Sequence, residues 1–517
     1  MNRQLIEALC DAQLYRHPVE TVETIETHIS WVLLAGEFVY KIKKPLDLGF
    51  LDFSTLEKRR FYCQEEIRLN RRTAPELYLE VVAIGGTPEN PVLDSEGEAI
   101  EFAVRMRRFD TQAGFDRLLA DNRLEHEHII DLGYRLAELH RIAEVAPPDS
   151  RFGTFDDVAD PMRDNFTDLE RMLADDRRSR LSELNQWSER ELKHLTPLLE
   201  TRQREGFTRE CHGDAHLGNV ALIDNRATLF DCIEFSEDLR WIDVISDLAF
   251  TVMDLHDRGA PGFAWLLLDE YLARSGDYGG VRLLPLYMVY RALVRAKVNA
   301  FRLDDDNADQ RNVLSQIDDY LGLAETISRE HRPAVLITMG VSGSGKSWLA
   351  RRLVERAGLV RMRSDVERKR LHGLAPDAAS DSGLGTDLYS KAATERTYRH
   401  LAELVRPVLC AGIPVLIDAA CLKRWQRELF QRLAEDLDVN FAVIQCDADD
   451  DVLRDRIRQR EQAGDDPSEA GLEVLAHQQE TLDPLDDRES GFALCLDTAA
   501  PDSTARAVEW LQARLGL

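Results

Sequence analysis

The chain has 517 residues, 44% of them hydrophobic and 31% charged, which is typical of globular proteins and long enough for about three domains of roughly 150 residues. Asp and Glu number 93 against 65 Lys and Arg, and the formal charge of −28 argues against sequence-independent binding to nucleic acid or anionic membrane. Eight cysteines without a CxxC pair, no secretory leader pattern and no apolar run of roughly 18 residues favour a cytoplasmic protein that neither crosses nor binds a membrane.

Period-two alternation of apolar and polar residues predicts strands in the first hundred residues. The predicted strands are 24–34, 38–43, 79–84 and 101–106. The turn Ala35-Gly36-Glu37 joins the first two as an antiparallel hairpin. Ser54 and Glu57 form a capping-box pair, which predicts a helix over 56–71 that packs beside this sheet.

Helical periodicity predominates from residue 115 to 199 and resumes through about residue 328, with short strands at 220–223 and 227–231 in between. The segment 329–333 is the predicted domain boundary. Beyond it, apolar strands alternate with helical stretches, which predicts a parallel α/β sheet. These predicted strands are 334–339, 358–362, 413–417, 440–446 and 492–496.

The strongest functional motif is G-x-x-x-x-G-K-S at residues 340–347, between a predicted buried strand and a predicted helix. In such a loop the backbone N–H groups surround the β-phosphate, the lysine contacts β- and γ-phosphate oxygens, and the serine hydroxyl is offered to Mg²⁺. The predicted nucleotide-binding residues are Gly340, Gly343, Ser344, Gly345, Lys346 and Ser347.

Two acidic residues follow predicted strands of the same region. Asp365, after the second strand, is the candidate general base, and the alternative is that Ser364 or Asp365 caps the next helix. Asp418, at the end of the third strand, is the candidate ligand of Mg²⁺ or of its waters, and the alternative is an ordinary strand-end aspartate.

Four arginines recur on the predicted helix around residues 454–460. Arg456 and Arg460 share one face and are candidate catalytic residues of a lid that closes over the phosphates. The alternative is a solvated helix whose arginines pair with Asp451 and Asp455. Together with the phosphate-binding loop, the segment from about 331 to 517 resembles the P-loop small-molecule and polynucleotide kinases, which include gluconate kinases and 5′-hydroxyl polynucleotide kinases. This resemblance implies ATP binding and phosphotransfer.

A second constellation lies upstream. His212-Gly213-Asp214 is followed by Asn219, and Asp231 comes after the next strand pair. Phosphoryl transfer needs an Asp that accepts or orients the acceptor hydroxyl proton, and an Asn and a further Asp as metal ligands. This part of the chain resembles the aminoglycoside phosphotransferase family, relatives of protein kinases, and Asp247-Leu248-Ala249 adds to the likeness. Asp214 is thus the candidate catalytic residue, and Asn219 and Asp231 are candidate metal ligands.

The resemblance implies a strand lysine that holds the α- and β-phosphates. Lys41 is the first choice, and Lys43 remains an alternative because alternation places it on the same side of the strand. Glu65 or Glu66 on the following helix is the expected ion-pair partner, and Glu65 is the residue we select as cofactor-binding. The first hairpin lacks a glycine-rich phosphate cover. His140 is expected to be a packed or capping histidine without a catalytic role.

The sequence thus predicts a multidomain α/β and α+β protein. Residues 1–330 are predicted to form a two-lobed, protein-kinase-like domain (small lobe about 1–110, helical lobe about 111–330), and residues 331–517 a P-loop domain with a five-stranded parallel sheet. We expect two ATP and Mg²⁺ sites, each phosphorylating a hydroxyl of an unidentified small molecule. The alternatives are one P-loop ATPase regulated by a pseudokinase-like binding domain, or a nucleic-acid 5′-hydroxyl kinase, which the net charge disfavours. The oligomeric state is not fixed by the sequence.

Overall fold

A computed structural model describes residues 3–49, 51–304, 309–329, 333–375, 378, 390–463 and 471–516. The chain divides into two compact units. Unit 1 comprises Met1–Asp164 and Leu192–Asp254, and unit 2 comprises Asn165–Glu191 and Leu255–Leu517. The predicted boundary segment 329–333 lies partly outside the described residues, and the domain limits at 330 and 331 stay a prediction.

The helices, in chain order, are α1 (Arg3–Leu9), α2 (Leu56–Asn70), α3 (Phe115–Ala120), α4 (His126–Ile142), α5 (Phe155–Met172), α6 (Asp175–Arg204), α7 (Glu237–Arg240), α8 (Val244–Asp257), α9 (Pro261–Ser275), α10 (Leu284–Ala300), α11 (Gln310–Ile327), α12 (Lys346–Ala357), α13 (Ser364–Leu371), α14 (Lys391–Cys410), α15 (Arg424–Asp436), α16 (Asp450–Ala463), α17 (Leu472–Thr481), α18 (Asp487–Ser490) and α19 (Ser503–Leu515). None of the described helices combines the length and apolar character that a bilayer crossing requires.

The strands are β1 (Val22–Glu26), β2 (Ser30–Ala35), β3 (Phe38–Lys43), β4 (Tyr78–Thr87), β5 (Asn90–Leu93), β6 (Glu101–Arg107), β7 (Thr208–Glu210), β8 (Val220–Ile223), β9 (Arg226–Leu229), β10 (Trp241–Asp243), β11 (Ala334–Met339), β12 (Val360–Arg363), β13 (Val415–Asp418), β14 (Asn440–Asp447) and β15 (Ala493–Asp497).

Unit 1 opens with an antiparallel sheet in the order β1-β2-β3-β6-β4-β5. The predicted hairpin is present, since Ala35 pairs with Phe38 across the β2–β3 turn. The predicted strand 24–34 is in fact two strands, because the chain turns between Thr27 and Ser30. There the Thr27 amide donates to the Ser30 carbonyl (2.9 Å), and the Ser30 amide donates to Thr27 Oγ1 (2.9 Å).

Helix α2 lies against this sheet and joins a common apolar core that includes Cys63, Ile67, Tyr78 and Val104. Its N-cap is Thr55 and not the predicted Ser54. The Ser54 hydroxyl is committed to Asp52 Oδ1 (2.6 Å), so Thr55 Oγ1 is the oxygen that accepts from the Lys58 amide. The antiparallel pairs β8–β9 and β7–β10 complete the sheet structure of the described part of unit 1.

Unit 2 contains the predicted parallel sheet, whose described strands follow the order β12-β13-β11-β14-β15. All four neighbouring pairs are parallel. Each residue of β11 is buried, which explains why its sequence does not alternate and is apolar except for Thr338. Helices α12 and α19 cover one face and share a core with the sheet that includes Leu336, Leu353, Ile444 and Leu511. The fold is therefore a P-loop α/β domain, and the carboxyl ends of β11 and β13 carry the functional loops.

Candidate active sites

In unit 1, two lysines of strand β3 share one buried carboxylate of helix α2. Lys41 Nζ lies 2.9 Å from Glu66 Oε1, and Lys43 Nζ lies 2.6 Å from Glu66 Oε2. The two lysines are two positions apart and therefore face the same side of the strand. Lys41 also pairs with Asp231, and Lys43 with Glu234. Lys41, which the sequence predicts to contact the phosphates, thus belongs to a network of two lysines and three carboxylates.

The carboxylate partner of Lys41 is Glu66 and not Glu65. Adjacent residues of a helix point about 100° apart, so only Glu66 faces the sheet. Glu65 instead bonds to Arg68 (2.7 Å). Burial alone would raise the pKa of Glu66, but the ammonium groups of Lys41 and Lys43 outweigh it and lower the pKa to about 2. Glu66 is therefore ionised under ordinary conditions and holds both lysines in place.

The loop after strand β7 places Asp214 and Asn219 together. Asn219 Nδ2 donates to Asp214 Oδ2 and to the Asp214 carbonyl, both at 3.0 Å. Because the amide nitrogen is turned towards Asp214, the atom of Asn219 that can ligate a cation is its oxygen. His216 Nε2 lies 3.5 Å from Asp214 Oδ2. The loop thus fixes a partly exposed carboxylate beside a potential metal ligand.

Buried side chains fix the conformation of the loop that carries Asp214. Asp247 accepts the amides of His212 (3.0 Å) and Gly213 (2.8 Å), and His140 Nε2 donates to the same carboxylate (3.0 Å). Burial lowers the pKa of His212. Its Nδ1 accepts from the Asp214 amide, and its Nε2 faces the Phe230 carbonyl (3.0 Å). The imidazole of His212 is therefore neutral. His140 thus packs in the core, as expected, and its sequence gave no signal of its bond to Asp247.

Asp231 follows strand β9 in a left-handed conformation (φ 60°), which is costly for a residue with a Cβ. The surroundings fix this conformation, since the Asp231 amide donates to the Tyr78 hydroxyl (3.0 Å) and the Cys232 amide to Asn70 Oδ1 (2.9 Å). The Asp231 carboxylate is about half exposed, with 45% of its side-chain surface accessible, and pairs with Lys41. A hard cation prefers oxygen ligands of the kinds that Asp231 and Asn219 provide.

In unit 2, the G-x-x-x-x-G-K-S segment forms a loop between β11 and α12. Gly343 and Gly345 have φ values of 81° and 79°, a region that favours glycine. A Cβ on Gly345 would lie 2.7 Å from Thr498 Oγ1. Thr498 donates to the Ser344 carbonyl (2.9 Å), which ties the loop to the end of β15. The backbone is thus pre-arranged with its amides at the amino terminus of a helix, where anions bind.

Lys346 lies in this loop, and its ammonium group donates to the Val341 carbonyl (2.7 Å). Burial lowers its pKa. Ser347 Oγ donates to Asp418 Oδ1 at 3.1 Å. Asp418 Oδ2 is buried and accepts no hydrogen bond from any described residue. A buried carboxylate oxygen without a donor, beside a serine hydroxyl, is a donor set that fits Mg²⁺.

Asp365 lies in the first turn of α13 and lines a cavity of about 1500 Å³ together with Lys346, Ser347 and Asp418. The alternative role of Ser364 or Asp365 as N-cap is not realised, because the capping position is Arg363 and no side chain caps the helix. The carboxylate of Asp365 therefore remains available to the cavity.

The two lid arginines differ from each other. Arg456 Nη1 donates to the Gly343 carbonyl (3.2 Å) and to Thr498 Oγ1 (2.9 Å), so this side chain braces the phosphate-binding loop. Arg460, one turn later on α16, lines the cavity. Arg456 lines the same cavity as well as bracing the loop, and a lid of both arginines that closes over the phosphates stays a prediction.

Comparisons with known proteins match two separate segments of the chain. Residues 86–284 match the model of the phosphotransferase enzyme family, and residues 335–485 match the model of an AAA domain. The chain joins two kinase-like segments. By these matches it is an ATP-dependent phosphotransferase, and kinases of such families generally use ATP with Mg²⁺.

Individual relatives extend over nearly the whole chain. Uncharacterized proteins of Mycobacterium tuberculosis and Mycobacterium bovis are 29% identical over 485 residues, which is 92% of this chain and 94% of theirs. Among solved structures, a gluconokinase from Sinorhizobium meliloti is 23% identical (36% of this chain, 94% of that chain, TM-score 0.25). A choline/ethanolamine kinase family protein from Mesorhizobium loti is 15% identical (60% of this chain, 88% of that chain, TM-score 0.38).

Proposed function

We propose that this chain binds MgATP at two separate sites and transfers the γ-phosphoryl group at each to a hydroxyl of a small molecule. The proposal depends on one observation: each unit contains a lysine that can contact phosphate, side chains with oxygen atoms that can bind a cation, and a further carboxylate. In unit 1 the set is Lys41, Asn219, Asp231 and Asp214. In unit 2 it is Lys346, Ser347, Asp418 and Asp365.

At the unit 1 site, Glu66 holds Lys41 where its ammonium can contact the phosphates, and Asn219 orients Asp214. Asp214 accepts the proton of the acceptor hydroxyl as the new P–O bond forms, while the bond from the γ-phosphorus to the β,γ-bridging oxygen breaks and ADP leaves with that oxygen. At the unit 2 site, the loop amides and Lys346 bind the phosphates, and Asp365 accepts the corresponding proton. Asn219 and Asp231 at the first site, and Ser347 and Asp418 at the second, would hold Mg²⁺, whose positive charge would offset the negative charge that develops on the transferred phosphoryl group.

One structural feature favours a second candidate, in which unit 1 binds nucleotide without transferring phosphate. The turn between β1 and β2, where kinases of this kind carry a phosphate cover, spans only residues 27–29 and has no glycine. The Thr27–Ser30 hydrogen bonds close it. The paired Asp214 and Asn219 favour catalysis, and an experiment that scores the two sites separately distinguishes the two functions.

The test is ATP turnover with a pooled metabolite extract and, separately, a 5′-hydroxyl oligonucleotide as acceptors, followed by mass spectrometry of the products. The variants are Asp214→Asn and Lys346→Ala, with Asp224→Asn as the control because Asp224 is exposed in the β8–β9 turn. We expect each of the first two changes to remove a different phosphorylated product. Loss of all ATP binding in Lys346→Ala would refute the two-site proposal, and a product pattern that depends on Lys346 alone would favour the binding-domain candidate. Phosphorylation of the oligonucleotide would instead identify a nucleic-acid kinase.

A further inference from the structure

A buried arginine stands between the magnesium side of the P-loop site and an acidic residue of helix α9. Arg361 lies on the edge strand β12, and 6% of its side chain is exposed. Its Nη2 lies 2.7 Å from Asp269 Oδ2, and its Nε donates to Asp269 Oδ1 at 3.4 Å. Asp269 is itself buried, with 1% of its side chain exposed. The two charges therefore form a two-point ion pair that is shielded from water.

The same guanidinium also approaches the proposed magnesium ligand. Arg361 Nη1 lies 4.0 Å from Asp418 Oδ2, close enough for attraction but too far for a hydrogen bond. Asp418 Oδ2 is the buried oxygen that accepts no hydrogen bond from the described residues. Arg361 thus has three carboxylates within reach, Asp269, Glu270 at 3.9 Å and Asp418, and its short contacts are with Asp269.

We propose that Asp269 is a positioning residue that keeps Arg361 off Asp418, so that the carboxylate stays available to Mg²⁺. A buried cation that loses its counter-charge is strongly destabilised and moves towards another anion within reach. Without the charge of Asp269, the anions left within reach of Arg361 are Glu270 at 3.9 Å and, on the magnesium side, Asp418 at 4.0 Å. An arginine bonded to Asp418 Oδ2 would compete directly with Mg²⁺ for that oxygen.

Helix α9 belongs to the segment that matches the phosphotransferase enzyme family, whereas Arg361 and Asp418 belong to the segment that matches the AAA domain. The helix packs against α12 and β12 within unit 2. Asp269 and Arg361 are 92 positions apart in the chain. The inference rests on the proposed role of Asp418 in binding MgATP, and it makes a residue of the first matched segment part of the metal-binding apparatus of the second.

The test uses the full chain in a Lys41→Ala background, in which nucleotide binding at the unit 1 site is disabled. ADP binding is measured by calorimetry without Mg²⁺ and across a MgCl₂ titration. In Asp269→Asn we expect the Mg²⁺ concentration for half-maximal enhancement to rise about tenfold, a change equivalent to 1.4 kcal/mol, while Mg²⁺-free ADP affinity stays within about twofold. Glu270→Gln is the matched control, since Glu270 lies next to Asp269 and only 3.9 Å from Arg361.

The decisive variant is Asp269→Asn combined with Arg361→Gln. Because the competing cation is removed together with its partner, we expect the Mg²⁺ requirement to return to that of the parent protein, an outcome that a merely structural role does not produce. Arg361→Gln alone should leave the Mg²⁺ requirement for ADP binding unchanged or lower it. This variant still tests the inference if Asp269→Asn fails to fold. An unchanged requirement in folded Asp269→Asn, no rescue in the double variant, or a raised requirement in Arg361→Gln would overturn the inference. Absence of any Lys346-dependent ADP binding in the parent would overturn the proposed function instead, and the inference with it.

Discussion

Replacing Glu66 by Gln tests the charge network of unit 1, and the same change at Glu65 is its matched control. The pKa of Glu66 near 2, against an ordinary 4.5, corresponds to about 3 kcal/mol of preferential stabilisation of the ionised carboxylate. This agrees with the range of about 3–5 kcal/mol for breaking a buried ion pair. Glu65→Gln removes a pair with Arg68, whose side chain is 46% exposed, and should cost less than about 1 kcal/mol.

Urea unfolding followed by far-UV circular dichroism measures the difference in stability. Nucleotide affinity is measured in a Lys346→Ala background, so that only the unit 1 site contributes. We expect Glu66→Gln to weaken ATP binding by about tenfold or more, because Lys41 loses the carboxylate that holds it. Equal denaturation midpoints and equal ATP affinities in the two variants would refute the reasoning.

The pH dependence provides a second check on the same residue. The pKa of Glu66 is lower in the folded than in the unfolded state, so its contribution is fully present above about pH 4.5 and is lost as the pH falls towards about 2. The stability difference between the wild type and Glu66→Gln should therefore narrow across this window. A difference that stays constant from pH 6 to pH 2.5 would contradict the assignment.

Three further changes address the catalytic groups. Asp214→Asn should lower kcat of the unit 1 reaction by about 10²–10⁴-fold with little change in KM for ATP, because a general base acts on the chemical step; a larger effect on KM would argue for a binding role. Ser347→Ala should weaken ADP binding in the presence of Mg²⁺ more than in its absence, as calorimetry would show, since its hydroxyl adjoins Asp418. Gly345→Ala should abolish nucleotide binding at the P-loop site, because a Cβ would lie 2.7 Å from Thr498 Oγ1, and equilibrium binding of ADP in a Lys41→Ala background would test this.

The sheet of unit 2 was predictable from sequence because its strands are short, mostly apolar segments separated by helical stretches, and the loop motif fixes the end of the first of them. The N-terminal sheet was harder. Alternation continues from residue 24 to 34 although the chain turns at Thr27–Ser30, because the turn is made by hydrogen bonds that leave the apolar pattern intact. Strands β7 and β10 have three residues each, which is too short for any periodicity to register.

The sequence could indicate those site residues that lie close together within one short segment. Residues 340–347 and 212–219 each bring several functional groups together within eight positions, so their spacing alone predicts their proximity. The choice between Glu65 and Glu66 depends on helix phase, which is set by packing of α2 on the sheet. A sequence that offers two adjacent glutamates contains no local information about which one faces inward.

Charge networks are harder still, because their members are held together only by the tertiary fold. Lys43 reaches Glu234 across 191 positions, and Asp269 reaches Arg361 across 92. In a chain with 93 acidic and 65 basic residues, pairs of opposite charge are so numerous that no pairing follows from composition. Burial selects the pairs that matter, since an exposed pair contributes little whereas a buried arginine such as Arg361 requires a counter-charge. The residues that position the charged groups of each site can therefore be recognised only once the tertiary structure is known.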